Sequence, residues 1–249
     1  MNARFYAPEA AKPGDVVALP EDEAQHLTRV LRLHGGDAVR VFNGRGDEFE
    51  AIVDEASKSG VRVRVGARQA AAAEPTVSVT LAQAVLKGDK MDDVVRDAVM
   101  IGVAAIQPIV TTRTEVTRTA LARSSRVERW QRIAVSSTKQ CHRAVVPPVL
   151  PTCDFGDLLA ALTKIRLPNP AFMLVEPGPA TDVAPLRDVD HATPREATVI
   201  VGPEGGWTSE EIALGAEACR LVTLGTRTLR ADAMATVALA VLFTKWGEL

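Results

Sequence analysis

Apolar residues recur along this chain with two periods, and the period changes once. Up to about residue 67 the runs are short and alternating: Ala38 to Phe42, Glu48 to Val53 and Val61 to Val65. Alternation over such lengths predicts strands with one buried face. Asn43-Gly44, Arg45-Gly46 and Ser59-Gly60 supply the turns between them. One helix is predicted before them, Glu21 to Leu33, with Ala24, Leu27, Val30 and Leu31 along one side. A small β-barrel of about 70 residues fits this pattern. "ARQAAAAEPT", Ala67 to Thr76, then breaks both periods with a flat alanine run and a proline. Beyond it, short apolar runs alternate with helical patterns. The runs are Val77–Val85, Ala105–Val110, Ala171–Val175, Ala197–Val201 and Leu221–Leu224. The helices are Lys90–Ile101, with Met91, Val94, Val95 and Ala98 on one face, Arg123–Gln140, with Val127, Trp130, Ile133, Ala134 and Ser137, and Ala233–Trp246, with Met234, Val237, Ala238, Val241 and Leu242. Nearly continuous apolar strands between helices predict a parallel sheet covered on both faces, hence an α/β class. The expected domains are 1–72, a β-barrel, and 73–249, the α/β part.

Composition narrows the function classes. The chain has 249 residues, 47% of them hydrophobic, enough for a sizeable core. Its net charge is -2, so an RNA-binding surface has to be a local patch. Cys141, Cys153 and Cys219 make no CxxC pair and no even framework, which points to a reducing compartment. The first residues carry no apolar signal core, and no run of about 18 apolar residues occurs. The expectation is a soluble, cytoplasmic protein with no membrane association. GxGxxG, GxxxxGK[ST] and GxSxG are absent, which removes the usual dinucleotide, P-loop and serine-hydrolase signatures. His26, His34, His142 and His191 show no metal-ligand spacing with the cysteines, so no metal is expected.

Two stretches carry candidate chemistry. "VIVGPEGGWTSEEI", Val199 to Ile212, runs from an apolar strand through Gly202, Pro203, Glu204, Gly205 and Gly206 into a helix opened by Thr208 and Glu211, a capping box. That loop is either an ordinary tight turn or a backbone held open for a ligand at the carboxyl end of a parallel strand. "LVTLGTRTLRADAMATVALAVL", Leu221 to Leu242, repeats the design with Gly225, and puts Arg227 and Arg230 at the mouth of any shared pocket. Basic density is highest between Thr111 and Val146, with eight Lys or Arg (Arg113, Arg118, Arg123, Arg126, Arg129, Arg132, Lys139, Arg143) against Glu115 and Glu128, a local +6. It is either a solvated helix face or a phosphate-binding patch. Arg29, Arg32, Arg40 and Arg45 form a weaker second cluster, nearly balanced by acids. Aromatics are 4% of the chain, so base stacking is not expected to dominate RNA recognition.

GPEGGW followed by LGTRTLRADA resembles the SPOUT methyltransferases, and within them the branch that methylates N3 of a uridine in small-subunit ribosomal RNA. That branch reads GPEGG-aromatic-[ST] and then LG-x-R-I-L-R-x-E-T-A. "QAVLKGDKMDDVVRDAVMIGVAAIQPIVTTRT" is similar to its Q-A-x-x-K-G-D-K-M-E segment and later P-x-x-S-x-R. "RWQRIAVSSTKQCHRAVVPPV" resembles its W-x-x-I-x-x-x-A-x-E-Q-x-x-R-x-x-x-P, and "HLTRVLRLHGGDAVRVFNGRG" its N-terminal PUA-like barrel. The chain departs from the pattern at Met100, at Lys139-Gln140 and at Asp232-Ala233-Met234.

The resemblance implies a PUA-like β-barrel ahead of an α/β trefoil-knot domain that binds S-adenosyl-L-methionine. It places the cofactor on three loops: Leu174, Val175 and Glu176; Gly202, Pro203, Glu204, Gly205 and Gly206; and Leu224, Gly225 and Leu229. Arg230 is the expected catalytic residue, stabilising charge on the uracil oxygens as N3 loses its proton. No general base is evident; Glu204 and Asp232 are the candidates. Expected RNA contacts are Arg29, Arg32, Lys87, Lys90, Arg113, Arg126, Arg129 and Arg143. Small-subunit ribosomal RNA or the assembled small subunit is the implied substrate, and a homodimer the implied state. Two rival functions remain: a related SPOUT enzyme with another target, and an inactive RNA-binding assembly factor.

Overall fold

A computed structural model describes residues 3–57, 60–164, 169–178, 183–189 and 192–249. Ser59, half of one expected turn, and His191 lie outside the described residues. The chain forms two compact units, Met1–Glu74 with Val135–Val146, and Pro75–Ala134 with Pro147–Leu249. The expected single cut after residue 72 therefore misses the return of Val135–Val146 to the first unit.

In the first unit, strands β1 (Arg4–Tyr6), β2 (Val16–Ala18), β3 (Ala38–Phe42), β4 (Glu48–Ser57) and β5 (Gly60–Gln69) pair in the order β1-β3-β4-β5-β2. β1 and β3 are parallel; the other pairs are antiparallel. Inward-facing Val39, Val41, Phe49, Ala51, Val53, Val61, Val63 and Val65 build the core with Phe5 and Leu27. Register shifts between Phe49 and Ala51 and between Val53 and Glu55 bend β4 across that core. The predicted helix is shorter than its apolar pattern. It runs as α1 (Glu21–Gln25) and continues as a π-turn, His26–Val30. Arg32, at φ 55°, ends it before Leu33, because a left-handed residue cannot continue a right-handed helix. Residues 144–146 join this unit by backbone bonds: Gly46 N donates to Ala144 O at 3.0 Å and Val146 N to Gly44 O at 3.0 Å.

The second unit is a six-stranded, wholly parallel sheet. Its strands are β6 (Ser78–Ala84), β7 (Ala105–Val110), β8 (Cys153–Asp154), β9 (Ala171–Leu174), β10 (Glu196–Val201) and β11 (Arg220–Val222), in the order β11-β9-β10-β6-β7-β8. Its helices are α2 (Lys90–Ile101), α3 (Arg118–Ala122), α5 (Phe155–Lys164), α6 (Ser209–Ala218), α7 (Ala231–Trp246) and the start of α4 (Arg126–Gln140), whose residues from Val135 count with the first unit. The expected Arg123–Gln140 helix starts three residues later, at Arg126, and a short separate helix, α3, precedes it. The Ser124-Ser125 pair divides the two, with the Ser124 hydroxyl donating to Leu121 O at 2.8 Å. Val79, Leu81, Val199, Ile200 and Val201 are wholly buried, as strands covered on both faces must be. Beyond β11 the chain crosses the segment that links β9 to β10. Leu186 N donates to Thr223 O at 2.7 Å and Thr223 N to Ala184 O at 3.2 Å. The expected knot requires such a crossing. Among the described residues no helix is long and apolar enough to cross a membrane.

Candidate functional site

The strand order brings the carboxyl ends of β11, β9 and β10 side by side, so the loops that follow them share one rim. Trp207 fastens two of these loops together. Its indole N–H donates to the Leu174 carbonyl at 2.8 Å, and its ring lies 4.8 Å from that of Phe155. Gly202 makes room for the indole: a Cβ there would stand 2.8 Å from a Trp207 ring carbon. This glycine, expected to let a ligand approach, thus also has a packing role. Gly206, at φ 69°, closes a turn by donating its N–H to Pro203 O at 3.0 Å. The chain then enters α6 through the predicted capping box, Thr208 with Glu211. The same Glu211 carboxylate accepts from Thr112 N at 2.8 Å, and Arg113 donates to Gly205 O at 2.8 Å. The loop is held from below, across and above.

Under these loops lies a cavity of about 300 Å³, at the lower end of the range for small-molecule sites. Leu174, Pro203, Trp207, Leu229 and Met234 give it apolar walls. Glu176, Glu204 and Asp232 bring three carboxylates against two cations, Lys90 and Arg230, a formal charge of -1. Lys90 Nζ lies 2.9 Å from Glu204 Oε1, which also accepts from Lys87 N at 3.1 Å. Arg230 meets Asp232 twice, at 3.1 and 2.9 Å. Burial raises the Glu204 carboxyl, but the hydrogen bonds and charge of Lys90 and the backbone amides outweigh it and hold the group below its ordinary value. Asp232 is likewise lowered, chiefly by its bond to Arg230, and Arg230 is raised by the same pair. Both candidate bases are therefore ionised with oxygens already engaged, and a carboxylate so held accepts a proton poorly.

Of the residues expected to hold a cofactor, Leu174, Glu176, Gly202, Pro203, Glu204, Gly206 and Leu229 line the cavity, and Arg230 stands at its rim with a 73% exposed side chain. Val175 is buried in the core and donates to Val222 O, while Gly205 backs onto Arg113; neither lines the cavity, nor do Leu224 and Gly225. Sequence reasoning missed Thr228, Ala231 and Met234 as cavity residues, and took Trp207 only as part of the loop. A capping-box helix behind a glycine loop leaves one large residue between them, and that was the available signal for Trp207.

The basic patch is thinned by acids from distant positions. Arg129 pairs with Asp89 and Asp92, Arg118 with Asp154 and Asp157, Lys139 with Glu23, and Lys87 with Glu115. Arg143 is 5% exposed and grips Glu74, so its expected role as an RNA contact gives way to a structural one. Among the described residues Arg113, Arg123, Arg126 and Arg132 form no ion pair, nor do Arg29 and Arg32 in the first unit. No group of His, Cys, Asp and Glu among the described residues could hold a metal ion.

A family profile described as RNA methyltransferase domain matches residues 73–243, and one described as RNA methyltransferase PUA domain matches residues 19–66. A ribosomal RNA small subunit methyltransferase E from Synechocystis sp. is 32% identical over 90% of this chain and 71% of its own. One of the same name from Rickettsia conorii is 28% identical over 95% and 93%. The crystal structure of a ribosomal RNA small subunit methyltransferase E from Neisseria gonorrhoeae, bound to S-adenosyl methionine, superposes with a TM-score of 0.86 at 32% identity, covering 99% of this chain and 98% of that one. A Legionella pneumophila methyltransferase with bound cofactor gives 0.86 at 29% identity, covering 98% of each.

Proposed function

Because the chain belongs to the RNA methyltransferase family that includes the ribosomal RNA small subunit methyltransferase E proteins, we propose that it binds S-adenosyl-L-methionine in this cavity and methylates small-subunit ribosomal RNA. The carrying observation is the cavity beneath three interlocked loops, in a chain whose fold matches relatives solved with that cofactor. The residues suit the ligand. Leu174, Pro203 and Leu229 offer apolar contact to a purine ring, and Gly202, Glu204 and Gly206 bring backbone polar groups to the cavity wall. Glu176, Glu204 and Asp232 favour a cationic sulfonium and ammonium. When bound, the cofactor supplies a methyl group already activated for transfer.

The target we propose is N3 of a uridine. Arg230 faces the cavity mouth with its guanidinium oriented by Asp232. A fixed cation there stabilises the negative charge that spreads over the uracil oxygens as the N3 proton leaves. Glu204 and Asp232 keep the loop and Arg230 in position, and the departing proton goes to solvent or a bound water. Positioning supplies much of the rate in such a transfer.

We further propose that the chain works as a homodimer in the cytoplasm, on free ribosomal RNA or the assembled small subunit. Support for a second copy comes from α7, where Val237, Ala240 and Val241 leave an apolar groove between Arg187 and Lys245. Light scattering of the purified protein tests the dimer. Titration with S-adenosyl-L-methionine, then mass spectrometry of methylated ribosomal RNA digests, tests the activity. A methyl on another base or on a 2′-hydroxyl would reassign the target. Cofactor binding without a product would favour an RNA-binding assembly factor.

A further inference from the structure

Four consecutive side chains of the first unit, Arg29, Val30, Leu31 and Arg32, are all exposed. Val30 is 67% and Leu31 40% exposed. A single exposed aliphatic residue needs no explanation, but an adjacent pair held by unusual backbone does. The pair ends a π-turn, in which Leu31 N donates to His26 O at 3.1 Å, and Arg32 follows at φ 55°. π-turns and left-handed non-glycine residues both cost local stability and gather at functional sites.

The surroundings make this stretch a rigid projection. Leu27 is wholly buried before it and Leu33 packs on the core after it. Leu33 N donates to Leu27 O at 3.1 Å, which ties the two anchors together. Below them Glu23 accepts from Tyr6 N at 3.3 Å and from Lys139 Nζ at 2.9 Å. The side chains that would ordinarily turn inward are thereby aimed at solvent. Arg29 and Arg32 enter no ion pair among the described residues, so two uncommitted positive charges flank the apolar pair.

Resting on the reading of this chain as acting on RNA, we propose that Val30 and Leu31 form a wedge that inserts at an unstacked base step of the RNA, with Arg29 and Arg32 on the adjoining phosphates. Apolar wedges that unstack bases while arginines hold the backbone are an established way to bind deformed nucleic acid. Bases in RNA loops and bulges are the ones open to such contact. The charge pattern selects a polyanion over an apolar protein surface, which would leave both guanidiniums without partners.

The test measures affinity of the full chain for deproteinised small-subunit ribosomal RNA across a salt series, together with affinity for S-adenosyl-L-methionine and melting temperature. Val30→Ser with Leu31→Ser should weaken RNA binding about tenfold, from the apolar area no longer buried, and leave the salt dependence unchanged. Val30→Met with Leu31→Met, still apolar, should bind as the parent does. Arg29→Gln with Arg32→Gln should weaken binding and flatten the log–log salt slope by about 1.5. All three should keep the parent's cofactor affinity and melting temperature. Parental RNA affinity in the serine pair overturns the wedge, as does a methionine pair that fails like the serine pair. If the parent methylates RNA while the serine pair matches it, the wedge falls and the function stands. If the parent neither binds cofactor nor methylates RNA, the function falls, and the RNA titration still decides the wedge.

Discussion

Gly202→Ala probes the contact that holds the cofactor loops together. The new Cβ would stand 2.8 Å from Trp207 Cε2 and 2.9 Å from its indole nitrogen. The indole is 7% exposed and backed by Phe155, so it has little room to retreat. Overpacking of this kind costs about 1–3 kcal/mol. Any tilt of the ring also weakens its bond to Leu174 O, now 2.8 Å long, a further ~1 kcal/mol. The total, about 2–4 kcal/mol, would lower the melting temperature by roughly 4–15 °C in a chain of this size. If the relaxation is instead taken up by the loops, cofactor affinity falls more than tenfold at a smaller loss of stability. Trp207→Phe makes the opposite change: it removes the hydrogen bond and shrinks the buried ring without adding volume, and should cost about 2–4 kcal/mol. Calorimetric titration with S-adenosyl-L-methionine and a thermal melt read both effects. A Gly202→Ala protein with parental affinity and parental melting temperature would refute the claim that the glycine exists to admit Trp207.

Arg230→Ala should lower turnover on ribosomal RNA about a hundredfold with cofactor affinity changed less than threefold; a loss confined to cofactor binding would reassign the residue. Glu204, whose folded pKa is depressed below its ordinary 4.5, contributes stability that is present above that value and lost as pH falls through the lower folded one. Melts across the acidic range should therefore show a shallower stability loss for Glu204→Gln than for the parent, and equal slopes would remove the Lys90 contact from the account. Arg126→Glu should weaken RNA binding and flatten its salt dependence, whereas Arg129→Gln, already neutralised by Asp89 and Asp92, should change RNA affinity little; the reverse order would mean that the ion pairs open on RNA. Glu248→Ala removes the carboxylate that accepts from Thr76 N and Val77 N at 3.0 and 3.1 Å, and should cost about 1–2 kcal/mol, read as a lower melting temperature without loss of cofactor binding.

Much of the fold was legible before any coordinates. Lys90–Ile101 and Ala105–Val110 begin and end where periodicity and turn residues put them, because α2 buries Met91, Val94, Val95 and Ala98 on one stripe and β7 is apolar but for Gln107, with Ile106 and Ile109 wholly buried. The capping box at Thr208 is likewise a local device, readable from two residues three apart. β1, β2, β8 and α5 were not read. β1 and β2 have three residues each and gain their stability from partners elsewhere in the chain, Arg40 to Phe42 and Arg62 to Arg64.

The site divides along the same line. From order alone came two glycine loops, Arg230 just after the second and a local excess of positive charge; these are properties of neighbours in sequence. Tertiary structure decided what each does. It set Gly202 against Trp207, and it turned Arg143 inward to Glu74 and Arg129 onto Asp89 and Asp92. It left Arg29, Val30, Leu31 and Arg32 facing water where the helical pattern puts Val30 and Leu31 on the buried side. Period and propensity act within a few residues, so one strand of text can carry them. Ion pairing and close packing depend on which distant segments arrive at the same place, and only the folded chain brings those segments together.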